Sequence, residues 1–211
     1  MERIKAALER AQQERQQSGA PTGSLPHAPE GGGPVDSIQY SQTRTIEVPK
    51  RILREQRIIT GFEPGHFVDA YKILRTQVLQ RLTENNWNAL AITSPGEHEG
   101  KTITAINLAI SLAMEINYTV LLVDADLRHP SIHTYFGFRP ELGLSDYLTR
   151  DVPLPEILIH PEGLGHCVIL PGGQPLINSG EMLSSPKMAR LVDELKTVTR
   201  HASCFSICRH Y

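Results

Sequence analysis

A short apolar run that closes on Gly-Lys-Thr leaves a chain few ways to fold. Residues 89–104, Ala-Leu-Ala-Ile-Thr-Ser-Pro-Gly-Glu-His-Glu-Gly-Lys-Thr-Ile-Thr, read as a buried strand, a glycine-bearing turn and a helix start. In a P-loop of this kind, successive backbone N–H groups and a helix N-terminus surround a phosphate chain. The turn departs from the usual pattern at one place. Pro95 stands five positions before Gly100, where Gly or a similarly small residue is usual.

The 211 residues, 40% hydrophobic and 21% charged, suffice for one globular domain plus extensions. A formal charge of -2 and a pI near 6.5 provide no overall basic field for nucleic acid or an anionic membrane, so no nucleic-acid partner is expected. Arg3 and Lys5 are followed by Ala-Ala-Leu-Glu-Arg rather than an apolar leader core. No apolar run approaches the roughly 20 residues of a membrane span, so a cytoplasmic location is expected. Cys167, Cys204 and Cys208 are too few and too unevenly placed for a disulfide framework, which agrees with a reducing compartment.

Three regions follow from the composition. Residues 1–17 have high helix propensity, with Ile4, Leu8 and Ala11 on one weakly apolar face. Residues 18–60 read as a flexible linker and arm: 18–36 are rich in Gly, Pro and Ser, and 45–59 scatter Ile52-Leu53 and Ile58-Ile59 among Lys50, Arg51, Arg54 and Arg57 as a solvated approach segment. Residues 61–211 form the phosphate-binding domain.

Within that domain Phe67, Ala70, Tyr71, Leu74, Val78 and Leu82 recur at helical spacing, predicting a helix over 65–82. A strand over 89–93, a helix from about 100 to 115, a strand over 119–123, a strand over 167–170 and a helix marked by Leu183, Met188, Leu191, Val192 and Leu195 complete the pattern. Apolar strands alternating with helices of this length predict an α/β fold, a parallel sheet with helices on both faces. Ligands bind such sheets at the carboxyl ends of the strands.

The strand over 119–123 delivers Asp124-Ala125-Asp126-Leu127-Arg128-His129-Pro130 to the same sheet edge as the glycine turn. Phosphoryl transfer needs a cradle for the phosphates, a Mg²⁺ ion and a group that orients or deprotonates the attacking hydroxyl. Lys101 can bridge phosphates, Thr102 can ligate Mg²⁺, and the carboxylates of Asp124 and Asp126 can serve metal and nucleophile. A pair of acidic loop caps is the plainer use of the same two residues.

Residues 121–130 resemble the Walker A′ motif of bacterial tyrosine kinases of capsule and exopolysaccharide synthesis, and 93–102 resemble their Walker A motif. Further similar pieces are Ala70-Tyr71-Lys72-Ile73-Leu74-Arg75-Thr76, Asn107-Leu108-Ala109, Gly143-Leu144-Ser145-Asp146-Tyr147-Leu148, and Leu170-Pro171-Gly172-Gly173 with Glu181-Met182-Leu183-Ser184-Ser185. The resemblance covers about residues 65–196, and the N-terminal helix and linker are similar to the exosortase-associated members. It implies a P-loop NTPase-like fold and protein-tyrosine autokinase activity that regulates exopolysaccharide chain length. ATP and Mg²⁺ would be held by Gly96, Glu97, His98, Glu99, Gly100, Lys101, Thr102 and Ile103. Lys101, Asp124 and Asp126 would be catalytic, with Thr102, Asp124 and Asp126 on the metal. The family's acidic-x-x-Arg-x-x-Arg self-association motif stands here as Asp69, Lys72 and Arg75, its central Arg replaced by a residue without the bidentate fork. With no membrane span, the resemblance is to the split form, which a membrane polysaccharide co-polymerase (chain-length determinant protein) activates at the inner membrane.

The family's Walker B strand, ending Asp-x-Pro-Pro, and its tyrosine cluster do not appear after Lys196. Codons allowed for residues 202–211 also encode, in another frame, Ile-Val-Leu-Phe-Asp-Leu-Pro-Pro-Leu. The expectation is a frame change near 196–201, with the C-terminal part of the sheet missing and activity impaired. His201, Cys204, Cys208 and His210 have loose zinc-like spacing and read as out-of-frame residues. Two alternatives stand beside the kinase. A partitioning-type P-loop ATPase needs a second Lys where this chain has Gly96, and a non-catalytic nucleotide-binding regulator of the co-polymerase would bind without transfer.

Overall fold

The computed structural model describes residues 43–60, 65–96, 98–115, 118–198 and 209–210. In chain order the elements are β1 (Arg44–Ile46), α1 (Lys50–Glu55), α2 (His66–Glu84), β2 (Thr93–Ser94), α3 (Lys101–Ala113), β3 (Val120–Val123), α4 (Ile132–Tyr135), α5 (Leu144–Arg150), α6 (Leu154–Ile157), β4 (Ile159–Pro161), β5 (Cys167–Leu170), α7 (Ser179–Leu183), α8 (Pro186–Val198) and β6 (Arg209–His210). The helix expected over 1–17, the linker over 18–36, Glu97, and His201, Cys204 and Cys208 of the zinc-like spacing lie outside the described residues.

The main sheet has the order β1-β4-β5-β3. β3 and β5 run parallel in register from Val120↔Cys167 to Val123↔Leu170, and β1 runs parallel to β4. β4 meets β5 antiparallel at Ile159↔Ile169, so the sheet is parallel-dominated, as the sequence predicts, with one antiparallel pair at a strand the sequence does not announce. Strand alternation divides the interior in two. Val120 and Leu122 point into a core with Ile106, Ile110 and Ile169, whereas Leu121 and Val123 point into a second with Leu127, Leu144 and Leu191. Four consecutive buried side chains, each contributing about 1.5–3 kcal/mol of apolar burial, anchor β3 on both faces.

Two sequence expectations need correction. Residues 45–59 are not a solvated approach segment: β1 joins the sheet, and Val48, Leu53, Ile58 and Ile59 are buried in the first core. The intervening Arg51 and Arg54 stay at the surface, so one short stretch is two-faced. Asn107 of α3 ties this segment down, accepting from Ile59 N–H at 2.9 Å and donating to Arg57 C=O at 3.0 Å. The second correction concerns 89–93, expected as a buried strand. Only Thr93–Ser94 are extended into a ladder, and Ala91 and Thr93 are exposed. β2 pairs in parallel with β6 in a two-stranded ribbon of its own, separate from β3. A run of Ala, Leu and Ile is buried as a strand only when neighbours cover it, and among the described residues β6 is the ladder partner of β2.

The remaining elements fall close to expectation. α2 extends the predicted helix to Glu84, β5 coincides with 167–170, and Leu183 closes α7 while Met188, Leu191 and Leu195 line the buried face of α8. No described helix is long and apolar enough to cross a membrane.

Candidate functional site

The glycine turn sits at the N-terminus of α3, a helix of 13 residues whose leading N–H groups face the turn. Gly100 takes φ +87°, a left-handed conformation that a side chain disfavours, and from there α3 begins. The turn is closed from two sides. Ser94 Oγ donates to Gly96 C=O at 2.8 Å, and Gly96 N–H donates to Glu99 Oε2 at 3.2 Å. A Cβ at Gly96 would stand 3.0 Å from Glu99 Oε1, the end of an exposed side chain, so a larger residue here would ask Glu99 to shift. His98 and Glu99 are exposed, and Ile103 packs its side chain against the first core. Glu97, also assigned to the nucleotide from sequence, is outside the described residues.

Opposite the turn, the loop after β3 folds back on Asp124, which is 0% exposed. Its Oδ2 accepts the N–H groups of Ser131 and Ile132, both at 2.9 Å, and its Oδ1 accepts Asp126 N–H at 3.3 Å. Burial pushes the Asp124 carboxyl up to about 6; the backbone donors pull it down, and the Asp126 charge pushes it further up. Asp126 has other surroundings. Its Oδ1 accepts His129 N–H at 3.0 Å, and its Oδ2 lies 3.2 Å from Lys101 Nζ, with the two side chains 3% and 9% exposed. Thr102 Oγ1 lies 3.3 Å from Ser131 Oγ. The end of β3 and the start of α3 are thus joined by one ion pair and one hydroxyl contact.

The end of β5 supports this loop. A Cβ at Gly172 would fall 2.8 Å from Pro130 Cβ and 3.2 Å from Asp124 C=O. Leu176 N–H donates to Leu127 C=O at 2.7 Å, and the carbonyls of Pro171 and Gly172 accept from Leu144 and Ser145 at the start of α5. Sequence reasoning singled out neither Ser131 nor the packing role of Gly172. A polar residue placed directly before Ile132 is a readable helix-start signal for the first, whereas a close approach from another strand leaves no local signal for the second.

Of the three residues assigned to self-association, Asp69 and Lys72 pair at 3.3 Å on the exposed side of α2. Arg75 is 19% exposed and turned toward α3, donating to Ser111 C=O at 3.1 Å and pairing with Glu115 at 2.7 Å. Among the described residues no three His, Cys, Asp or Glu side chains converge on one point. What the two loops do bring together is one carboxylate, one threonine hydroxyl and one lysine. The carboxylate and hydroxyl oxygens suit a Mg²⁺ ion whose remaining ligands would be phosphate and water oxygens, and the ammonium suits the phosphates themselves.

The chain matches the CobQ/CobB/MinD/ParA nucleotide binding domain over residues 90–206. It is 31% identical over 134 residues to a tyrosine-protein kinase, ptk, of Acinetobacter johnsonii, covering 64% of this chain and 18% of that protein. It is 33% identical over 141 residues to the tyrosine-protein kinase YwqD of Bacillus subtilis, covering 66% of this chain and 59% of the relative. Against the kinase domain of the Escherichia coli tyrosine kinase ETK, the TM-score is 0.61 at 29% identity, over 67% of this chain and 54% of that one. The match therefore spans less than two thirds of each of these relatives.

Proposed function

Because the chain belongs to the CobQ/CobB/MinD/ParA nucleotide-binding domain family, on the branch of the bacterial tyrosine kinases, we propose that it binds ATP with Mg²⁺ and directs phosphoryl transfer to tyrosine hydroxyls in the control of exopolysaccharide or capsule chain length. The observation that carries this reading is the 3.2 Å contact between Lys101 and Asp126, which sets the phosphate-binding turn against the carboxylate loop. A phosphate chain would lie along the backbone N–H groups from Gly96 to Thr102, with the Lys101 ammonium on the more distal phosphates. Thr102 Oγ1 and the Asp126 carboxylate would hold Mg²⁺, which when bound supplies positive charge against the charge developing on the transferred phosphoryl group. Asp124, buried and supplied by three backbone donors, keeps the loop in shape for Asp126 and Ser131. Phosphoryl transfer asks mainly for positioning and charge, and the tyrosine hydroxyl to be phosphorylated would be oriented, and its proton accepted, by the Asp126 carboxylate.

β2, two residues long with Thr93 exposed and Ser94 buried, bears on rate: among the described residues the turn is carried on a short ladder, so a γ-phosphate would be held loosely and transfer would be slow. The same observation favours a second reading, a nucleotide-binding regulator that transfers no phosphate. The expected partner in both is a membrane polysaccharide co-polymerase that recruits the chain from the cytoplasm to the inner membrane, with self-association through the α2 face around Asp69 and Lys72. The test is ATP·Mg²⁺ titration of the full chain and of Lys101→Ala, followed by phosphotyrosine detection with the co-polymerase present. Lys101-dependent binding with slow phosphotyrosine formation supports the kinase. Binding with none selects the regulator, and binding unaffected by Lys101→Ala contradicts both.

A further inference from the structure

The C-terminal half of α2 and the residues that lead from it to β2 leave an apolar groove of about 960 Å³ between them, lined by Leu74, Val78, Leu82, Trp87, Leu90 and Ala91. Leu74, Val78 and Leu90 also pack against the first core, so the floor of the groove is part of the fold. Trp87 is 61% exposed, although its backbone is fixed. α2 stops in a left-handed turn at Asn86, φ +53°, whose N–H donates to Thr83 C=O at 3.2 Å while Trp87 N–H donates to Leu82 C=O at 2.8 Å. A helix stop of this form usually folds the next apolar residue onto the last turn. Here it holds an indole open to solvent beside an apolar trough, which marks a contact surface.

A segment of this chain outside the described residues has the matching pattern. On a helix over 1–17, Ile4, Leu8 and Ala11 form a stripe. That stripe is about 10 Å long, against about 12 Å from Leu74 to Leu82 along α2. Lys5 and Glu14 flank the stripe on opposite sides, and the rim of the groove carries charges of both signs in Arg81 and Glu84, an exposed pair at 3.7 Å. Residues 18–42 join the segment to β1. A coil of about 25 residues rich in Gly, Pro and Ser spans about 25–30 Å, whereas a domain of about 150 residues has a radius of gyration of about 15 Å. The tether reaches every face of the domain and holds the segment at a roughly millimolar effective concentration.

We propose that residues 1–17 dock as a helix in the groove between α2 and 87–91, with Ile4, Leu8 and Ala11 inward, and that docking steadies the stretch that carries the phosphate-binding turn. The second half of the proposal rests on the nucleotide-binding reading above. Leu90 and Ala91 line the groove and lead within two residues into β2, whose ladder is two residues long. A helix packed on them supplies the cover that this half of the site lacks. By linkage, docking that favours nucleotide is itself favoured by nucleotide.

Trp87 is the one tryptophan of the chain, so its fluorescence reads the groove directly. The experiment compares the full wild-type chain with Ile4→Asp/Leu8→Asp and with Glu9→Gln, on the far side of the same helix, each checked for folding by circular dichroism. In the double variant, acrylamide quenching of Trp87 rises at least about threefold and the emission shifts to the red, while Glu9→Gln matches the wild type and dilution by about a hundredfold changes neither. The affinity of the double variant for a fluorescent ADP with Mg²⁺ falls about fivefold. Equal quenching in the wild type and the double variant overturns the docking, as does an equal effect of Glu9→Gln. Shielding that disappears on dilution assigns the groove to a second copy and overturns it too. Lost shielding with unchanged ADP affinity overturns the steadying of the turn. Absence of ADP binding in all three chains overturns the nucleotide reading and leaves the docking to stand on Trp87.

Discussion

Residues 89–94 and 119–124 are both short apolar runs that hand a polar loop to the same region of the fold, yet one is half exposed and the other is sealed. β3 is paired along its whole length with β5 and covered on both faces, and it ends on an Asp whose carboxylate is fully engaged by backbone. β2 is two residues long and pairs with β6. Hydrophobic composition alone does not bury a strand; edge and face partners do. The carboxylate half of the site is therefore part of the core, whereas the phosphate-binding half stands on a thin ribbon joined to it through Lys101, Thr102 and the packing of α3.

This contrast can be broken in order of expected effect. Leu122→Ala removes a side chain with no solvent exposure from β3 and costs about 3–5 kcal/mol in urea unfolding. Asp124→Ala orphans the buried N–H groups of Ser131 and Ile132 and costs about 2–3 kcal/mol by the same measurement.

The Asp124 carboxyl also titrates in a defined direction. Its folded value is raised to about 6 from 3.8, so between those values the folded chain keeps a proton that the unfolded chain has released. The resulting stabilisation is complete below about pH 4 and is lost as the pH rises through about 6. Unfolding free energies measured from pH 4 to 7 should therefore show the wild type losing roughly 2–3 kcal/mol relative to Asp124→Asn. Leu90→Ala, in the ribbon half, has the smallest effect, about 1 kcal/mol or less, because its side chain is only half-buried to begin with. Comparable losses for Leu90→Ala and Leu122→Ala would erase the distinction between the halves.

How far the sequence discloses this molecule follows the same division. α2, β3, β5 and the Asp124–Asp126 loop announce themselves through periodicity or through a motif contained in one stretch of chain. The buried role of residues 45–59 does not, because Ile52-Leu53 and Ile58-Ile59 are pairs too short for a period, and Asn107, which bonds the backbone of Ile59 and Arg57, lies 48 and 50 residues further along the chain. β4 is equally silent: Ile159-His160-Pro161 is a three-residue strand containing a proline. Asp124 and Asp126 are legible as a pair, but their separate surroundings are set by which backbone N–H groups the loop turns inward, and no residue type encodes that. The partial exposure of 89–92 is hidden for the opposite reason, since the local sequence is a good strand and the deciding factor is what lies beside it.

The most direct test of the two-halves account is hydrogen exchange on the full chain, followed by mass spectrometry with and without Mg²⁺·ADP. Without nucleotide, the amides of Val120 and Asp124, bonded to His166 and Leu170, should exchange at least about a hundredfold more slowly than those over 91–96. With nucleotide, residues 96–103 should gain protection while 120–124 change little. Equal protection of the two segments before nucleotide is added, or protection gained at 120–124 and not at 96–103, would contradict it.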